Sequence, residues 1–120
     1  MLHKKLEVWK KSMDMVISVY KLTKNFPSDE RFGLTNQMRR ASVSIPSNIA
    51  EGCARNSSRE LKQFLFIAQG SLSELETQLE ISIRLGFAKN VENLEFDIKE
   101  IGKMLTSLIR KINPPLPPTY

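Results

Sequence analysis

Between Leu34 and Arg55 the chain carries two stripes at helical spacing. Leu34, Met38, Ala41, Ile45 and Ile49 fall on one face, and Gln37, Arg40, Ser44, Asn48, Glu51 and Arg55 on another. Steps of three and four residues stack side chains along one side of a helix, so the segment reads as a helix with two faces in use. The apolar face demands burial, and the polar one is more regular than solvent coating requires. Pro46 stands inside the pattern. A proline there removes one backbone hydrogen bond and crowds the carbonyl of Ser42, at a cost of roughly 3 kcal/mol, which predicts a kink.

Three further segments share the period. From about Lys4 to Asn25, Leu6, Trp9, Met13, Val16 and Tyr20 form a stripe that Val8, Met15, Val19, Leu22 and Phe26 widen. Phe26-Pro27 ends it, since proline disfavours helical geometry in the residue before it. Asp29 and Glu30 then precede the second helix, where a helix N-terminus welcomes negative charge. That second helix starts at Arg31 or Leu34 and runs to about Ala54. Ser57 or Ser58 caps a third helix to about Leu85, built on Leu61, Leu65, Ala68, Leu72, Leu75 and Leu79, with Gly86 as its stop. Gly70 in its middle is costly by propensity and predicts close approach of another backbone. Val91, Leu94, Ile98, Ile101, Leu105, Leu108 and Ile112 define a fourth helix from about Val91 to Ile112. No segment alternates at strand period. Four amphipathic helices on short connections predict an all-α, antiparallel up-down-up-down four-helix bundle over residues 1–112. Residues 113–120, Asn-Pro-Pro-Leu-Pro-Pro-Thr-Tyr, form a proline-rich C-terminal tail that cannot continue a helix and reads as an extended strap.

A chain of 120 residues is one domain by length and needs no staples to bury a core. The single cysteine, Cys53, allows no intrachain disulfide and fits a reducing compartment. With neither a leader-like apolar stretch nor a membrane-length run, the expected location is the cytoplasm. One histidine and one cysteine cannot build a Cys/His zinc site, and the Glu-x-x-His element of carboxylate-bridged metal bundles is absent. Nor is there a phosphate-cradling glycine loop. No metal, cofactor or catalytic residue is expected, and the chain does not read as an enzyme. Cys53, beside the apolar face of the second helix, reads as a structural thiol.

Charge offers a positive lead. Residues 1–56 hold ten Lys/Arg against five Asp/Glu, a surplus equal to the whole chain's net charge of +5. A basic half attracts polyanions, although the same surplus also serves solubility. The candidate phosphate contacts are Arg39, Arg40, Arg55 and Arg59, with Lys10 and Lys11 near them; the planar fork of arginine suits that task. The same arginines also read as solvated surface, and Glu51 with Arg55 four residues on reads as a helical ion pair. Gln37, Ser44, Asn48 and Glu51 are candidates for a polar network between helices or between subunits. Trp9 reads as an anchor in the core or at a subunit contact.

The elements Leu6-Glu7-Val8-Trp9, Phe26-Pro27, the run from Gln37 to Gly52, Ala68-Gln69-Gly70-Ser71-Leu72-Ser73-Glu74-Leu75-Glu76 and Leu85-Gly86-Phe87 together resemble a bacterial family. It is the four-helix-bundle family named for the 23S rRNA intervening-sequence protein. The likeness extends from about Leu6 to Ile112, and its specific part is Arg-Arg-Ala…Ser-Ile-Pro…Asn-Ile-Ala-Glu-Gly. This chain lacks the Phe-x-Asp that often precedes the Leu-x-Val-Trp element. The resemblance implies a homopentameric ring and no enzymatic activity. It also implies kinship with the accessory protein of diversity-generating retroelements, which binds nucleic acid and a reverse transcriptase. Two readings follow: a homo-oligomer that binds RNA or DNA through a basic surface, or a protein–protein adaptor held by its polar stripe. A nuclease or other hydrolase has no metal-ligand cluster behind it.

Overall fold

The four periodic segments become four helices: α1 (Glu7–Thr23), α2 (Leu34–Cys53), α3 (Ser58–Arg84) and α4 (Glu92–Ile112). This computed structural model describes residues 2–112, among which there is no strand; the expected tail at 113–120 lies outside them. Cross-helix pairs fix the directions. Down α2, Met38, Ser44 and Gly52 meet Ser82, Ser71 and Leu61 in turn, so the two helices run in opposite senses. Arg39 near the start of α2 reaches Thr23 at the end of α1. Gln69 pairs with Thr106 across α3 and α4, and Lys11 with Asp97 across α1 and α4. Each helix packs against two neighbours, closing the bundle.

The core is one cluster drawn from all four helices. Met15 and Val19, Met38, Ile45 and Ile49, Leu65 and Leu75, and Ile101 and Leu105 are fully buried. Each such side chain contributes about 1.5–3 kcal/mol by leaving water. α2 buries its predicted apolar face and runs through Pro46 without interruption, with the proline ring itself buried.

α1 differs from its predicted stripe. The buried row is Val8, Ser12, Met15, Val19 and Thr23, while Met13 and Tyr20 are exposed. Ser12 Oγ donates to the carbonyl of Trp9 at 2.9 Å and Thr23 Oγ1 to that of Val19 at 2.8 Å. Hydroxyls satisfied within their own helix can be buried at little cost, which turns the helix by part of a turn from the all-apolar solution. α1 also begins later than predicted. Leu2–Lys5 form a 3-10 turn, and Leu6, extended at φ −76° and ψ 128°, separates it from the helix. The turn folds back so that His3 sets its ring edge-on to Trp9, with centroids 5.1 Å apart.

The predicted close approach is not at Gly70, where a Cβ would meet nothing within 4 Å. It is at Gly52, where a Cβ would lie 3.0 Å from Leu61 Cδ1 and Phe64 Cβ. The helix ends follow their sequence signals. Ser57 Oγ accepts the backbone N–H of Glu60 at 3.1 Å, and Glu30 Oε1 accepts that of Leu34 at 3.1 Å. α3 closes with Phe87 N–H donating to Ser82 O and Gly86 N–H to Ile83 O, around Gly86 at φ +81°. This paired arrangement satisfies carbonyls left free at a helix C-terminus and favours glycine at the left-handed position. Phe26 and Phe87, with ring centroids 5.8 Å apart, close that end of the bundle.

Candidate functional site

The cations singled out from the sequence are scattered, and most are engaged. Arg39 is half-buried: its Nε donates to Thr23 Oγ1 at 2.9 Å, and its guanidinium lies 4.5 Å from the centre of the Tyr20 ring. Arg55 pairs with Glu51 at 3.0 Å and rests over Phe64. Lys11 bridges to Asp97 at 3.4 Å, and Lys10 lies 3.4 Å from Glu7. Arg40 and Arg59 are exposed and form no ion pair among the described residues. They sit near opposite ends of the α2–α3 pair. Arg40 lies within α2 and Arg55 just past its C-terminus, so roughly 20 Å of helix at 1.5 Å per residue separates them.

The polar stripe of α2 divides. Ser44 Oγ lies 2.8 Å from Ser71 Oγ on α3, and Asn48 Nδ2 donates to Ser44 Oγ at 2.9 Å and to its carbonyl at 2.8 Å. These residues tie α2 to α3 inside one chain. Gln37 is exposed and its side chain forms no hydrogen bond among the described residues, and Glu51 serves Arg55. Burial pushes the Cys53 thiol above its ordinary pKa. Thiolate character, which a nucleophile needs, is thereby reduced.

Sequence reasoning missed a groove between α3 and α4. Its α4 wall carries Lys99, Lys103, Thr106, Arg110 and Lys111, and its α3 wall carries Gln69, Ser73 and Glu76. Leu72, Ile98, Gly102 and Ser107 complete the lining. Gln69 Nε2 donates to Thr106 Oγ1 at 3.0 Å, holding the walls in register. Four cations thus line this groove with one carboxylate. Lys103 has a loose contact to Glu100 at 3.6 Å; Lys99, Arg110 and Lys111 have no ion pair among the described residues. Arg110 and Lys111 also offset the negative end of the α4 dipole. Beyond Glu76, the adjoining recess turns acidic, with Glu80 and Glu95 against Arg84, which pairs with Glu80 at 3.0 Å. The α3–α4 face is therefore polarised along its length.

Apolar side chains gather elsewhere. Trp9, Met13, Val16, Val43 and Pro46 line a recess between α1 and α2, bordered by exposed Ile17 and Tyr20. Among the described residues no cluster of His, Cys, Asp and Glu is placed to hold a metal ion. No described helix is long and apolar enough to cross a membrane.

Comparison with known proteins places the chain. The family model described as 23S rRNA-intervening sequence protein matches residues 4–107. The chain belongs to that family. A crystal structure of a protein of unknown function from the S23 ribosomal protein family of Bacteroides thetaiotaomicron is similar to it. The TM-score is 0.79 at 29% identity, covering 86% of this chain and 95% of that one. A search of curated proteins finds no match. Neither description names a reaction. The stretch matched to the 23S rRNA-intervening sequence family includes Lys99, Lys103 and Thr106 and ends before Arg110.

Proposed function

We propose that this protein is a non-catalytic, homo-oligomeric helical bundle that binds nucleic acid, and that the α3–α4 groove is its principal contact. The carrying observation is the row of Lys99, Lys103, Arg110 and Lys111 along one groove wall, with Glu76 the one carboxylate in the lining. Cations held side by side gain most from phosphates, because each neutralised phosphate releases condensed counterions. Gln69, Ser73 and Thr106 add neutral hydrogen-bonding groups to the same surface. Arg40 and Arg59 are secondary phosphate contacts in this reading, being exposed and without ion pairs among the described residues.

Self-association has its own support. Met13, Ile17 and Tyr20 on α1 and Val43 on α2 are large apolar side chains left 40–55% exposed beside the Trp9 recess. A contiguous apolar patch of this kind marks an interaction surface. A ring of five subunits is what the family resemblance implies.

Fluorescence-anisotropy titration against structured RNA and duplex DNA at several salt concentrations tests the binding half. The proposal expects log affinity to fall linearly with log salt, and absence of binding at low salt would end it. Light scattering of wild type and Ile17→Glu tests the oligomer. A multimeric mass reduced by the substitution supports it; a monomeric wild type contradicts it.

A further inference from the structure

Phe66 lies on the outer face of α3 and is 51% exposed. Lys62, Phe66, Gln69 and Ser73 follow one another at steps of four, three and four, so they share one side of that helix. Gln69 and Ser73 already form the groove's α3 wall, which places Lys62 and Phe66 along its continuation. Lys62 Nζ stands 5.9 Å from the centre of the Phe66 ring. Because α3 and α4 run oppositely and Gln69 meets Thr106, one turn back from Gln69 is level with one turn on from Thr106, where Arg110 sits. The basic end of the groove therefore carries a solvent-facing aromatic ring flanked by cations from both helices.

We infer that the groove takes a single strand of nucleic acid, with its backbone along the α4 cations and a base stacked on Phe66. This rests on the nucleic-acid reading of the groove and narrows it to one strand. Packed helices have axes about 8–10 Å apart, so the channel between them admits one strand, whereas a duplex rides only on its rim. A duplex also hides its base faces, leaving Phe66 without a partner. Single strands present unstacked bases, and aromatic rings beside a cationic track are how proteins hold them. The acidic stretch of Glu76, Glu80 and Glu95 repels phosphate and sets the far limit of the track. From Lys99 to Arg110 the track is about 16 Å long at 1.5 Å per residue. That is room for about five phosphates at the ~3.4 Å spacing of a stacked strand.

The test is an anisotropy titration of the full chain with fluorescein-labelled eight-nucleotide single-stranded RNA, and with the same sequence made duplex, at low salt. Wild type is compared with Phe66→Ala and Phe66→Leu. The ring is exposed, so both variants are expected to keep the wild-type helical circular dichroism. Single-strand binding at least tenfold tighter than duplex binding, weakened about 5- to 150-fold in Phe66→Ala and not restored by Phe66→Leu, supports the inference. Salt-dependent binding with no preference for the single strand, or with Phe66→Ala unchanged, overturns the single-strand assignment and leaves the groove's polyanion role standing. Absence of binding to both probes overturns both together.

Discussion

Arg39 Nε donates to Thr23 Oγ1 at 2.9 Å, while its guanidinium lies over the Tyr20 ring, 4.5 Å from the ring centre. An arginine that reads as a phosphate contact in sequence is spent holding the start of α2 against the end of α1. Thr23 Oγ1 in turn donates to Val19 O, so the hydroxyl joins both helices. Replacing Arg39 with Ala removes a charged hydrogen bond and a cation–π contact at a half-exposed position, and is expected to cost about 1–2 kcal/mol. Arg39→Lys keeps the charge but loses the planar fork, so it should not restore the loss. Urea unfolding of the two variants checks this; a wild-type midpoint for Arg39→Ala would refute the clamp.

Two glycines should respond in opposite directions. At Gly52 a Cβ would lie 3.0 Å from Phe64 Cβ and 3.3 Å from the backbone oxygen of Leu61, so α2 and α3 must move apart. Overpacking of this kind costs about 1–3 kcal/mol, more than the helix-propensity gain of about 1 kcal/mol for Gly→Ala. At Gly70 nothing lies within 4 Å of that Cβ, so only the propensity gain remains. Gly52→Ala should lower the thermal midpoint and Gly70→Ala should raise it.

The Cys53 thiol is half-buried and pushed above its ordinary pKa by that burial. Its alkylation by iodoacetamide near pH 8 should be slower in the native protein than in urea, with the native rate rising at higher pH. The linked effect on stability has a definite sign. As pH climbs through the ordinary thiol pKa, the unfolded chain loses its proton before the native one, so stability falls with pH there. Equal native and unfolded alkylation rates would place the thiol in solvent.

The four helices and the apolar face of α2 were legible because five residues repeat at helical spacing with nothing competing. The rotation of α1 was not, since Ser12 and Thr23 count as polar in sequence yet are buried once bonded to their own helix. Gly52 and Gly70 are indistinguishable until a neighbouring helix is placed against one of them. The α4 groove was hidden by averaging. Residues 57–120 hold eight bases and eight acids, a balance that suggests no field. Folding separates them, bringing Lys99, Lys103 and Arg110 to the end of the α3–α4 face opposite Glu80 and Glu95. Their steps of four and seven were the available signal, since residues so spaced share one side of a helix.

The groove is tested most directly by one comparison: salt-dependent binding of single-stranded RNA by wild type and by Lys103→Ala/Arg110→Ala. Each lost phosphate contact should flatten the log–log slope by about 0.7 on a single strand, so the double variant should lose roughly 1.4 and bind more weakly at every salt concentration. A correctly folded double variant with the wild-type slope and affinity would show that nucleic acid, if bound, is held elsewhere on the bundle.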